Sequence, residues 1–105
     1  MDDNIQALDE IAKITSRIQR IDGYIRNGQF ISANREARSI LAEIKKGEGY
    51  GGEKIRSEIR MHLKRLVGFL SDVVSAHSEA EKLFDMLKRE RGIVLERSGE
   101  EIGDE

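Results

Sequence analysis

An all-α fold is what this chain predicts, and three observations carry the prediction. Its 105 residues include no proline, the residue that costs ~3 kcal/mol inside a helix. Isoleucines and leucines recur at alternating spacings of three and four, which aligns them on one helix face. Asn27-Gly28 and the glycine-rich stretch 47–52 separate those runs, as helix ends that need a left-handed residue do. A chain of this length makes one domain with one modest core.

The first helix is predicted over residues 4–27. Ile11, Ile14, Ile18, Ile21 and Ile25 form its apolar face. Asp3 and Gln6 are spaced as a capping box, and Gly28 supplies the stop. The second helix runs from about Gln29 to Lys46, with Phe30, Ala33, Ala37, Ile40 and Ile44 on one face and Leu41 beside them. So short a turn forces the two helices antiparallel. Gly47-Glu48-Gly49-Tyr50-Gly51-Gly52 reads as a linker. It lacks the Lys-Ser/Thr ending of a phosphate loop, and no strand precedes it.

From Glu53 to Arg91 the pattern is strongest. Ile59, Leu63, Leu66, Leu70, Val73, His77, Ala80, Phe84 and Leu87 keep one heptad register. Val67, Phe69, Val74, Ala76 and Leu83 widen the stripe, which indicates burial against more than one helix. The expected architecture is an antiparallel hairpin packed on one long, coiled-coil-like C-terminal helix. The alternative is a four-helix bundle with a break near residues 75–78, where Ser78 to Glu81 fits a second capping box. The hairpin is too short to cover the far half of so long a helix, so the bundle is expected to be completed by a homodimer. The partner-binding residues on that reading are Val73, His77, Ala80, Leu83, Phe84 and Leu87. Residues 1–95 form the domain. The glycine-containing acidic tail, 96–105, has the composition of a disordered segment.

Composition narrows the function. With no cysteine, disulfides, thiol catalysis and thiolate metal sites are excluded. His62 and His77 stand fifteen residues apart, about 22 Å along one helix, so no single-chain histidine metal site is expected, nor any cofactor. No apolar run approaches a membrane span, and the first residues lack the basic start of a signal peptide. A cytoplasmic, non-enzymatic interaction protein, such as a small adaptor, regulator or assembly subunit, follows, with a heterologous protein partner also open.

Charge is unevenly spread, and this opens a second reading. Residues 1–12 carry four carboxylates and no cation, residues 13–65 a net +7, and residues 66–105 a net −5. Clustered cations bind phosphate backbones, so Arg35, Arg38, Lys45, Lys46, Lys54, Arg56, Arg60 and Lys64 are the candidate nucleic-acid contacts. Only Tyr24 and Tyr50 are candidates for stacking on bases. A third reading comes from Arg56 and His62, whose Arg-x5-His spacing at the start of a helix resembles the motif of HEPN ribonucleases. That resemblance implies a dimeric all-α enzyme that cuts RNA, with histidine as acid/base and arginine stabilising phosphate charge.

Overall fold

The computed structural model describes residues 2–47, 50 and 52–103. These fold into four helices, α1 (Asp2–Arg26), α2 (Phe30–Lys45), α3 (Glu53–Gly68) and α4 (Val73–Gly103). Each packs on its neighbours in chain order, and α1 also packs on α4, closing a ring. The short connections make successive helices antiparallel. None of the four is long and apolar enough to cross a membrane.

The first turn forms for the reason its sequence suggests. Gly28 has φ 72°, and the turn carries the paired bonds of a Schellman motif. Gln29 N–H donates to Tyr24 O at 2.8 Å and Gly28 N–H to Ile25 O at 3.1 Å. Gly47, with φ 78°, ends α2 in the same way by donating to Ile44 O at 2.9 Å. Glu48, Gly49 and Gly51 of the expected linker lie outside the described residues.

The long third helix is not present. It breaks at residues 69–72, upstream of the 75–78 site, and α4 folds back along α3 and α1. Asp72 drives the restart. Its Oδ1 accepts the N–H groups of Val74 and Ser75 at 3.1 and 3.4 Å, and Ser75 Oγ donates to its Oδ2 at 2.7 Å. That is an N-cap, satisfying donors that the first helical turn leaves unpaired. The bond to the Ser75 hydroxyl, more than the backbone bonds, holds the Asp72 carboxyl below the usual aspartate range. On the other side of the turn, Phe69 N–H closes α3 on Leu66 O at 3.0 Å.

The refolded chain buries one continuous core. Ile11, Ile14, Ile18, Ile21 and Ile25 of α1 meet Ala33, Ala37 and Ile40 of α2, Ile59, Leu63 and Leu66 of α3, and Ala76, Ala80, Leu83 and Leu87 of α4. Fully burying a large side chain of this kind contributes roughly 1.5–3 kcal/mol. α4 continues past Gly92 to Gly103, taking in backbone that composition assigns to a disordered tail. Asp104 and Glu105 of that tail lie outside the described residues.

Two histidine bridges hold α4 in the ring. His77 Nδ1 lies 2.7 Å from Asp22 Oδ1 on α1, and His62 Nδ1 on α3 lies 2.7 Å from Glu79 Oε1. Asp22 and Glu79 are the buried carboxylates among the described residues, so the sequence's two histidines meet the two acids that most need partners. Asp22 also forms an ion pair with Arg26, Nε to Oδ2 3.1 Å, and Glu79 has Lys82 Nζ at 3.7 Å.

Candidate functional site

Folding back α4 changes what the expected partner face is made of. Ala80, Leu83 and Leu87 are at most 1% exposed within the single chain. They belong to the intrachain core and present no surface to a partner. The physical reason is the Asp72 cap, which turns the far half of the stripe against α1 instead of leaving it beyond reach. Val73 is 40% exposed at the start of α4, and His77 is engaged with Asp22 and with Glu81 Oε1 at 3.0 Å. Phe84 keeps a half-buried position. It lines two shallow recesses between α1 and α4, one of about 300 Å³ beside Asp22, Gly23 and Arg26, the other of about 340 Å³ beside Ile11, Thr15 and Leu87.

The basic residues fare differently. Arg38 and Lys45 of α2 and Arg60 and Lys64 of α3 face one another across a groove of about 470 Å³, with Leu41 and Ala42 completing its lining. Lys45 and Arg60 also line an adjoining recess of about 240 Å³, where they are joined by Arg56, Ser57 and Glu53. Helical spacing explains the convergence. Arg56, Arg60 and Lys64 repeat every four residues along α3, and Arg38, Leu41, Ala42 and Lys45 repeat at three and four along α2, so each set forms one row. Among the described residues, Arg38, Lys45, Arg60 and Lys64 form no ion pair; Arg38 Nε donates to Asn34 Oδ1 at 3.1 Å. Arg35 and Lys46 are exposed but line neither cavity. Lys54 points to Glu90 of α4, 3.9 Å away.

The groove is free of α2's own carboxylates because Glu36 and Glu43, seven residues apart, share the opposite flank of that helix, where α1 meets them. Arg17 Nε donates to Glu36 Oε1 at 2.8 Å and its Nη2 to Ser39 Oγ at 3.0 Å. Its Nη1 reaches both the Glu43 carboxylate and the Tyr50 hydroxyl, and that hydroxyl itself donates to Glu43. The Tyr50 bond, reinforced by Arg17, pulls the Glu43 carboxyl below its ordinary range. Burial, together with the bond to Glu43, raises the Tyr50 phenol above its own. Tyr50 sits at φ 58°, a left-handed conformation uncommon for a residue with a Cβ. Its hydroxyl bonds pin the linker to the end of α2. Sequence reasoning did not single out this cluster, because nothing in the spacing of Arg17, Glu43 and Tyr50 marks them as neighbours.

Arg56 and His62, the pair resembling the ribonuclease motif, lie on different flanks of α3. Arg56 lines the recess toward α2, whereas His62 is tied to Glu79 on α4. Tyr24 and Tyr50, the candidate base-stacking residues, pack against the core. Among the described residues, no group of three histidine, aspartate or glutamate side chains is placed to hold a metal ion. Comparison of the chain with protein-family models, curated proteins and solved structures finds no match.

Proposed function

We propose that this chain is a non-enzymatic protein–protein interaction module that receives an acidic segment of its partner in the α2–α3 groove. The observation that carries this reading is the groove's lining, which has two cations on each wall, no carboxylate, and an aliphatic patch formed by Leu41 and Ala42. Such a surface complements a segment that is acidic along one side and apolar along the other. Nucleic acid is the second reading, favoured by the row Arg56, Arg60 and Lys64, which could follow a phosphate backbone. The aliphatic patch and the engagement of both tyrosines in packing argue for protein.

Fluorescence anisotropy tests the two together. One labelled probe is a helical peptide of glutamate, alanine and leucine; the other is a short DNA duplex. The peptide is expected to bind at low salt and to lose at least about tenfold in affinity, or ~1.4 kcal/mol, when Arg60 and Lys64 are both changed to glutamate. Duplex binding that exceeds peptide binding, and that shows the steep salt dependence of counterion release, would replace the protein reading with the nucleic-acid one. Absence of binding by both probes would reject the groove as a site.

A further inference from the structure

The chain itself carries acidic segments at its two ends. We infer that the groove's occupant is the protruding α1–α4 extension of a second copy, an assignment that rests on reading the groove as a site for an acidic protein segment.

Helix lengths create the extension. α2 and α3 have 16 residues each, whereas α1 has 25 and α4 has 31. At 1.5 Å per residue the short pair spans about 24 Å, and α1 and α4 about 37 and 46 Å. The turns at 27–29 and 69–72 lie at the same end of the ring, so the surplus of both long helices emerges together at the other. Two contacts mark where it begins. Lys54, near the start of α3, reaches Glu90 of α4, and Glu43, near the end of α2, reaches Arg17 of α1. Residues 2–12 and 91–103 therefore run beyond the hairpin. Ile11, beside Leu87, closes the core at its base, and Val94, 1% exposed, is buried within it.

The chemistry of this extension is the counterpart of the groove. Residues 2–13 contain four carboxylates against one cation, Lys13, which pairs with Asp9 at 3.1 Å, and residues 91–103 add three carboxylates against two arginines. Large apolar side chains stand among them in solvent, with Ile5 67%, Ile93 41% and Leu95 45% exposed. An acidic body with exposed aliphatics matches a basic groove with an aliphatic patch. The extension cannot reach the groove of its own chain, because α1 and α4 leave the ring past the end at which α2 and α3 are joined. Only another molecule can bring the two surfaces together.

A charge swap read by sedimentation velocity at low salt tests the assignment. One variant carries Arg60→Glu and Lys64→Glu in the groove; the other carries Asp9→Lys and Glu96→Lys in the extension. The wild-type chain should associate at tens of micromolar and dissociate in high salt. Each variant alone should be monomeric while keeping its helical circular dichroism. Their equimolar mixture should associate again, because each then offers the other one complementary pair of surfaces. A wild-type chain that stays monomeric, or a mixture that fails to associate, would overturn the second-copy assignment. In either case the peptide anisotropy experiment still decides separately whether the groove takes acidic protein. Undiminished association of the groove variant would also overturn it, by placing the contact elsewhere.

Discussion

Leu83→Ala measures directly whether α4 completes a core within one chain. The Leu83 side chain is fully buried, and the substitution removes its isobutyl group down to a methyl. Substitutions of this kind cost 2.7–5 kcal/mol according to how far the site collapses, and about 3 kcal/mol is expected here. For a domain of this size each kcal/mol lowers Tm by roughly 4–8 °C, so the shift should be about 15 °C. Phe84→Ala, at a half-buried position facing two open recesses, should cost less, about 2 kcal/mol. Urea titrations followed by far-ultraviolet circular dichroism give both values. They should be run in high salt, where association through the charged groove is screened, and over a hundredfold range of protein concentration. The Leu83 loss should be the same throughout that range. A loss that grows on dilution would mean that mass action contributes to covering Leu83, and so would a Phe84→Ala cost above that of Leu83→Ala. Either result would refute the intrachain core and return these residues to an interface.

Two further outcomes follow from the polar contacts. The Asp22 carboxylate raises the His77 pKa above the usual imidazole value, with Glu81 adding to it and Arg26 opposing. The folded state thus favours charged His77, and its stabilisation is complete below an unfolded pKa of about 6.5 and fades as pH rises through the higher folded value. Thermal melts of wild type and His77→Asn should differ most near pH 5 and converge above neutrality, and a pH-independent difference would contradict the bridge. Tyr50→Phe removes the hydroxyl shared by Arg17 and Glu43 and should cost about 1 kcal/mol. An unchanged urea midpoint would show that the hydroxyl does not hold the linker in solution.

The helical class, the first two helices and both glycine stops were legible because local chemistry decides them. Gly28 and Gly47 take the left-handed angles that their positions demand. The break between α3 and α4 was hidden by a coincidence of spacing. The four residues 69–72 leave Leu70 and Val73 in step with Leu63 and Leu66, so a heptad count runs through the turn without an error. The phase does change, however. α3 buries Ile59, Leu63 and Leu66, while α4 buries Ala76, Ala80, Leu83 and Leu87, leaving Val73 and His77 of the counted register at or near the surface. The widened stripe, with Ala76 and Leu83 beside the heptad positions, was the trace of two helices in different phases. Gly68 followed by Ser71-Asp72 was the available signal, a terminator and a cap within five residues.

The candidate site was half legible for a related reason. Charge counting found the cations of residues 13–65, but a count cannot say which of them share a face. Arg38, Lys45, Arg60 and Lys64 converge because α2 and α3 are adjacent, and the break that makes α3 a separate short helix also makes a groove with two short walls. Helix phase puts Glu36 and Glu43 on the far flank of α2, where Arg17 of a different helix pairs with both. The same shortness of α2 and α3 leaves the acidic ends of α1 and α4 projecting. The turn capped by Asp72 sends α4 back past the start of α3 and so supplies the α4 half of the extension. Lengthening α3 through that turn would remove that half, so the paired extension follows only from a chain of four helices.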